Sequence, residues 1–118
     1  RDDTLKVEGM ENLFCAGEKS GLLVGHTEAI VTGTLAGFNA VRFAKKQKLL
    51  ILPESTAVGD AIHFVREQMQ TPEGIRKRYT FSGSVLFQRM KQKGSYTTNI
   101  AVIKERVAQT GMKNIFGK

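Results

Sequence analysis

The sequence predicts an α+β fold, mostly α-helical: a short β segment and a glycine-rich loop feed one long helix, and a small helical unit follows. Three features predict it. Residues 12–16, "NLFCA", are apolar on both faces, the pattern of a strand inside a covered sheet. A loop with Gly17, Gly21 and Gly25 then leads into a long stretch of helical character. Beyond Pro53, three shorter segments combine helix-capping residues with apolar spacing near 3.6.

Taken in order, Thr4–Val7 and Asn12–Ala16 are the short β stretches. The first helix is expected from about Thr27 to Lys46. Thr27 stands at its N-cap, and Lys45, Lys46 and Lys48 stand where the helix dipole favours cations. Its small residues, Ala29, Gly33, Ala36, Gly37, Ala40 and Ala44, fall mostly on one stripe. Each internal glycine costs roughly 1 kcal/mol against alanine. That cost predicts close approach of a sheet or another helix to this backbone.

"KLLILPES" (48–55) is an apolar connector that Pro53 stops. Thr56 caps a second helix over about Ala57 to Gln70, with Val58, Ala61, Ile62, Val65 and Met69 as its apolar stripe. "TPEGIRKRY" reads as a loop or broken turn. A third helix covers about Ser84 to Lys93, with Gly94 just past its end. A fourth starts at Thr97 or Thr98, carries Ile100, Ile103 and Val107, and ends at Gly111. "MKNIFGK" is a tail that frays unless Ile115 and Phe116 dock. A soft boundary near 48–55 divides the chain into 1–48 and 49–118. One strand pair makes no stable sheet alone. The chain therefore reads as a piece of a larger α/β protein whose other strands lie elsewhere.

The 118 residues are enough for one small domain; 41% are hydrophobic and 25% charged, a globular rather than disordered balance. The opening "RDDTLKVEGMENLF" has no charged segment leading into an apolar one and predicts no signal peptide. Ala29 to Val41, the longest apolar stretch, falls short of the ~20 residues of a membrane span. The single cysteine, Cys15, allows no internal disulfide and points to a reducing cytoplasm. Nothing basic flanks it, so it reads as a packing thiol. His63, between Ile62 and Phe64, reads as an ordinary helix position, and no metal-ligand spacing is present.

The net charge is +7, concentrated at 42–48, 76–78 and 89–93. Arg42, Lys45, Lys46, Arg76, Lys77, Arg78, Arg89 and Lys91 are candidate contacts for RNA phosphates, or alternatively plain solvated surface. Tyr79, Phe81 and Phe87 could stack on bases, though core packing is their more ordinary use.

The chemistry concentrates at the order strand, Gly-Glu, glycine-rich loop, helix N-terminus. Backbone N–H groups of such a loop can approach an electron-rich ligand closely, and the helix dipole adds about half a positive charge. Glu18, directly after the strand, can accept hydrogen bonds from hydroxyls. A plain strand–loop–helix crossover, with glycines for packing, remains the alternative on these grounds.

The residues Leu13, Phe14, Ala16, Gly17, Glu18, Gly21, Gly25, His26, Glu28, Gly33, Ala36, Gly37, Asn39 and Ala40 form a pattern over about thirty positions. It resembles the C-terminal flavin-contacting motif of two-dinucleotide-binding-domain flavoproteins. More narrowly, it is similar to the glucose-inhibited division protein A family. "ILPESTAVGDAIHFV" (51–65) also resembles the segment that follows in that family's folate- and FAD-dependent tRNA uridine methyltransferase branch. The family's usual Gln is Glu18 here, its usual Tyr is His26, and the loop from Gly21 to Gly25 is one residue longer. These departures suit a paralogue with a different substrate.

The resemblance implies that Gly17, Glu18, Gly21, Gly25, His26, Thr27 and Glu28 contact FAD in the full-length protein. Residues 1–48 would close its Rossmann-like FAD domain, and 49–118 would form a helical C-terminal region. The Gly-x-Gly-x-x-Gly that holds the ADP half is absent, so this stretch alone should not retain FAD. The implied activity is flavin-dependent, and in one branch folate-dependent, modification of a uridine in tRNA or rRNA in the cytoplasm, with folate or NAD(P)H as further partners and no membrane. No catalytic residue is identified. An FAD-dependent oxidoreductase of small molecules and a noncatalytic helical interaction domain are the alternatives. Exposed sheet edges would favour self-association.

Overall fold

The computed structural model describes residues 1–17, 21–81, 83–94, 97–111 and 115–117. Four α-helices carry the fold: α1 (His26–Ala44), α2 (Ala57–Gln68), α3 (Ser84–Gln92) and α4 (Ile100–Thr110). Single 3-10 turns cover Gly74–Arg76 and Ile115–Gly117.

The two expected strands do not form. Residues 4–7 and 12–16 meet only in one antiparallel bridge, Lys6 with Phe14. Val7 N–H donates to Leu13 O at 2.8 Å and Cys15 N–H to Leu5 O at 2.9 Å. Leu13 is 45% exposed, so "NLFCA" is not a covered strand here. The physical reason is the one already stated: an isolated pair has no neighbours to hold it extended. A second bridge, parallel, joins Leu23 to Tyr79 and ties the loop before α1 to the chain before α3.

The core gathers Leu5, Leu22, Leu23, Leu35, Leu50, Ile62, Val65, Tyr79 and Leu86. α1, α2 and α3 each contribute to it. Ala61, Ile62 and Val65 of α2 are buried, with Val58 and Met69 packed at the margin as their spacing predicts. α3 commits only Leu86, and α4 buries no residue, leaving Ile100 and Ile103 at 68% and 43% exposure. The tail docks: Ile115 packs on the core, and Phe116 meets Phe38 edge-on at 5.1 Å between centroids.

Local signals fix the helix ends. Thr56 Oγ1 accepts from Gly59 N–H at 3.1 Å, the expected cap of α2. α4 is capped by Asn99, whose Oδ1 accepts from Ala101 and Val102, rather than by Thr97 or Thr98. It stops at Gly111 with φ +69°. α1 ends at Ala44, and Lys46 follows at φ +58°; Lys46 N–H reaches Phe43 O and Gln47 N–H reaches Arg42 O.

Asn39 joins three pieces of chain. From α1 its amide donates to Thr4 O and to Leu50 O, both at 2.9 Å, and its Oδ1 accepts from Leu50 N–H at 2.7 Å. Asp60 does the same for the helices: Arg89 Nε and Nη2 hold its carboxylate at 2.7 and 3.0 Å, with Lys93 Nζ at 2.6 Å. The small-residue stripe behaves otherwise than expected. A methyl group at Gly33 or Gly37 would meet nothing within 4 Å. Among the described residues nothing packs against those glycines.

Candidate functional site

The turn into α1 is built on three glycines with positive φ: Gly17 at +65°, Gly21 at +128° and Gly25 at +119°. Gly25, not Thr27, is the N-cap of α1, and Thr27 lies inside the first turn. A side chain at Gly25 would be strained by its φ, and its Cβ would lie 2.4 Å from Glu28 Oε1. Gly17 N–H donates to Thr32 Oγ1 at 3.1 Å, and that hydroxyl donates in turn to Glu28 O at 2.8 Å. The loop is thereby fastened to the second turn of α1.

Among the described residues no side-chain cap is seen at the start of α1. A helix start without a cap leaves N–H donors and a partial positive charge at its mouth. His26 and Thr27 are exposed there. Glu28 is not: it is buried, and its Oε2 accepts from Phe81 N–H at 3.0 Å. Its carboxylate therefore braces the α1 start against the segment before α3 and faces away from solvent. Glu18 lies outside the described residues. Cys15 is half-buried, its Sγ donates to Leu5 O at 3.4 Å, and burial pushes its thiol up from the ordinary range.

The basic candidates divide by what they touch. Arg89 is held by Asp60 and lies over the Phe64 ring at 4.6 Å. Arg42 covers Phe38 and donates to Lys48 O, and Arg78 donates to Ile75 O and Lys77 O. Lys91 lies over Phe87 at 4.5 Å. Lys45, Lys46, Arg76 and Lys77 are exposed. Tyr79 is buried against Phe64, so it serves the core. Asp60 stays ionised well into acid: burial works against its charge, but the bonds from Arg89 and Lys93 outweigh it and lower its pKa.

Sequence reasoning passed over His63. It lies between Asp3, Glu54 and Glu67, with contacts of 2.8, 3.4 and 2.8 Å. Glu67 one turn later on the same helix was a readable signal; Asp3, sixty residues away, was not. Among the described residues no group of three His, Cys, Asp or Glu is arranged to hold a metal ion. No helix there is long and apolar enough to cross a membrane.

The loop and the whole of α1 fall inside residues 1–48, a stretch that is similar to the glucose inhibited division protein A family. Curated relatives are similar over longer stretches. A protein of Moorella thermoacetica named methylenetetrahydrofolate–tRNA-(uracil-5-)-methyltransferase TrmFO is 41% identical over 69 residues. That alignment takes in 58% of this chain and 16% of the relative. Proteins of the same name from Bacillus pumilus and Streptococcus uberis are 39% and 40% identical over 62 residues, 52% of this chain and 14% of each relative. The chain thus aligns with about one-sixth of the length of the curated relatives it matches. No solved structure matches. The segment similar to that family contains the glycine turn, the start of α1 and Asn39.

Proposed function

We propose that this chain supplies the flavin-facing end of an FAD-dependent enzyme that modifies a uridine in tRNA or rRNA in the cytoplasm. In this reading residues 1–48 complete the FAD domain, and 49–118 form a helical region that holds RNA. One observation carries it: an uncapped helix start, with His26 and Thr27 exposed and three positive-φ glycines before it, lies within the family-matching segment. These residues fit a flavin, since a helix mouth without its own cap offers N–H donors and positive potential to an electron-rich ring edge. When bound, FAD would supply the electron transfer.

The chain's own residues have simpler duties. The first-turn N–H groups of α1 and the His26 and Thr27 side chains orient the ring edge. Glu28 and Thr32 hold the loop rigid behind it. Glu18 would accept from ribityl hydroxyls. Lys45, Lys46, Arg76, Lys77, Arg78 and Lys91 would hold RNA phosphates, with Arg42 and Arg89 contributing less because their guanidinium groups already serve other contacts. The carbon donor, where one is used, would be a folate, and NAD(P)H the reductant. The family-matching glycine turn supports this over a noncatalytic interaction domain.

The test is flavin retention by the full-length protein carrying Thr27→Glu. An acidic residue in the first turn favours the helix itself. It should leave stability intact while weakening FAD binding roughly tenfold, or about 1.4 kcal/mol. Thr34→Glu, exposed on the same helix, should leave binding unchanged. Equal FAD binding by wild type and Thr27→Glu, or a wild type that never takes up FAD, overturns the proposal. A flavoprotein with no preference for RNA over a polyanion would instead indicate a small-molecule oxidoreductase.

A further inference from the structure

We propose that His63 is a proton-operated clasp that holds residues 1–8 against α2, closed while its ring carries two N–H groups and released when it loses one. The geometry makes the demand. His63 Nδ1 lies 2.8 Å from Asp3 Oδ2, and Nε2 lies 2.8 Å from Glu67 Oε1 and 3.4 Å from Glu54 Oε1. Ionised carboxylates only accept hydrogen bonds. Both short contacts therefore need a donor on the ring, and only the imidazolium has two. A neutral ring keeps one and turns a nitrogen lone pair toward a carboxylate on the other side.

Every element around the ring brings a charge. Asp3 comes from the N-terminal segment, with Arg1 Nη1 3.9 Å beyond it. Glu54 comes from the connector and Glu67 from α2. Arg89 of α3 feels Glu67 and Glu54 from farther off, and Arg66 turns to Glu8 at 3.5 Å. The hydrogen bond to Asp3, with the charges of Asp3, Glu54 and Glu67, outweighs burial and holds the His63 pKa above its ordinary value. Loss of the proton leaves three carboxylates around an uncharged ring.

Among the described contacts, the clasp lies between two others that bind this segment to α2. Arg1 Nη1 donates to Ile62 O at 3.1 Å, and Glu8 pairs with Arg66. The same segment bonds to Leu13 and Cys15, directly before the Gly17 turn. Release at His63 therefore reaches the loop ahead of α1.

The test combines an NMR titration of the His63 ring with amide hydrogen exchange across the same pH range, in the full chain. His63 should titrate above the ordinary value of about 6.5. After correction for intrinsic pH dependence, exchange at Leu5, Val7 and Cys15 should accelerate severalfold at that midpoint. Glu67→Gln, which keeps the Asp3 bond, should fold and lower the midpoint. His63→Gln should remove the step, leaving exchange flat with pH. Titration of His63 at or below its ordinary value, or wild-type exchange that stays flat through the midpoint, overturns the proposal.

Discussion

Asn39 uses both ends of its amide on backbone and none on water. Asn39→Leu would keep the volume and leave Thr4 O, Leu50 O and Leu50 N–H without that partner. Buried unsatisfied groups cost about 1–3 kcal/mol each, so a loss of about 3 kcal/mol is expected in urea denaturation. Asp60 is the second such residue. Asp60→Asn removes the charge that Arg89 and Lys93 share, and both cations can still reach water. The expected loss is about 2 kcal/mol. Its pH dependence has a definite sign: the folded pKa is lowered, so the contribution is complete above the ordinary carboxylate value near 4. It disappears as pH falls through the lower folded value. A urea series from neutral to acid pH in wild type and Asp60→Asn should converge at the acid end. Asn39 was visible in the sequence as part of a family-like pattern, but its work was not. Its partners Thr4 and Leu50 are set by the fold and lie 35 and 11 positions away.

At the scale of elements, α1 ends on a strained residue. Lys46 occupies the left-handed position that closes a helix, where a non-glycine residue costs roughly 1 kcal/mol or more. Lys46→Gly should raise stability by about 1 kcal/mol, seen as a few degrees in thermal midpoint. Gly59 is the opposite case. It sits one turn into α2 beneath the connector, and an added Cβ would lie 2.1 Å from Pro53 O. Gly59→Ala should lower stability well beyond the usual gain of alanine in a helix, and circular-dichroism melting measures both. The helices were legible because caps and apolar spacing are local: Thr56, Gly94 and Gly111 sit where their residue types predict. The β stretches were not: the one bridge between them, Lys6 with Phe14, has no flanking strand among the described residues to hold it extended. Half-buried Gly33 and exposed Gly37 likewise have nothing described packed on them. The candidate site shows the same division: the glycine turn was readable from residue type, whereas the inward turn of Glu28 depends on Phe81 N–H, fifty-three positions on.

At the scale of the molecule, charge and its pH dependence matter most. With a net +7, the proposed binding to RNA should weaken steeply with salt. Replacing Lys77 by Gln should reduce the slope of log affinity against log salt by about 0.7–0.9, the value for one phosphate contact, in fluorescence titrations at several salt concentrations. His63 gives global stability a slope of its own. Its folded pKa is raised, so its contribution is complete below the unfolded value of about 6.5 and is lost as pH rises through the higher folded value. The urea midpoint of wild type should fall across that range, and that of His63→Gln should not.

The distance along the chain from Asp3 to His63 also sets an order of events during synthesis. Asp3 and its neighbours are made before α2, and their partner His63 lies sixty residues later. At about 5–20 residues per second, the segment waits roughly 3–12 s before the residues that fasten it exist. Leu5, fully buried in the finished fold, has no completed core to enter during that interval. Residues made earlier than α2 are here among the later ones to settle.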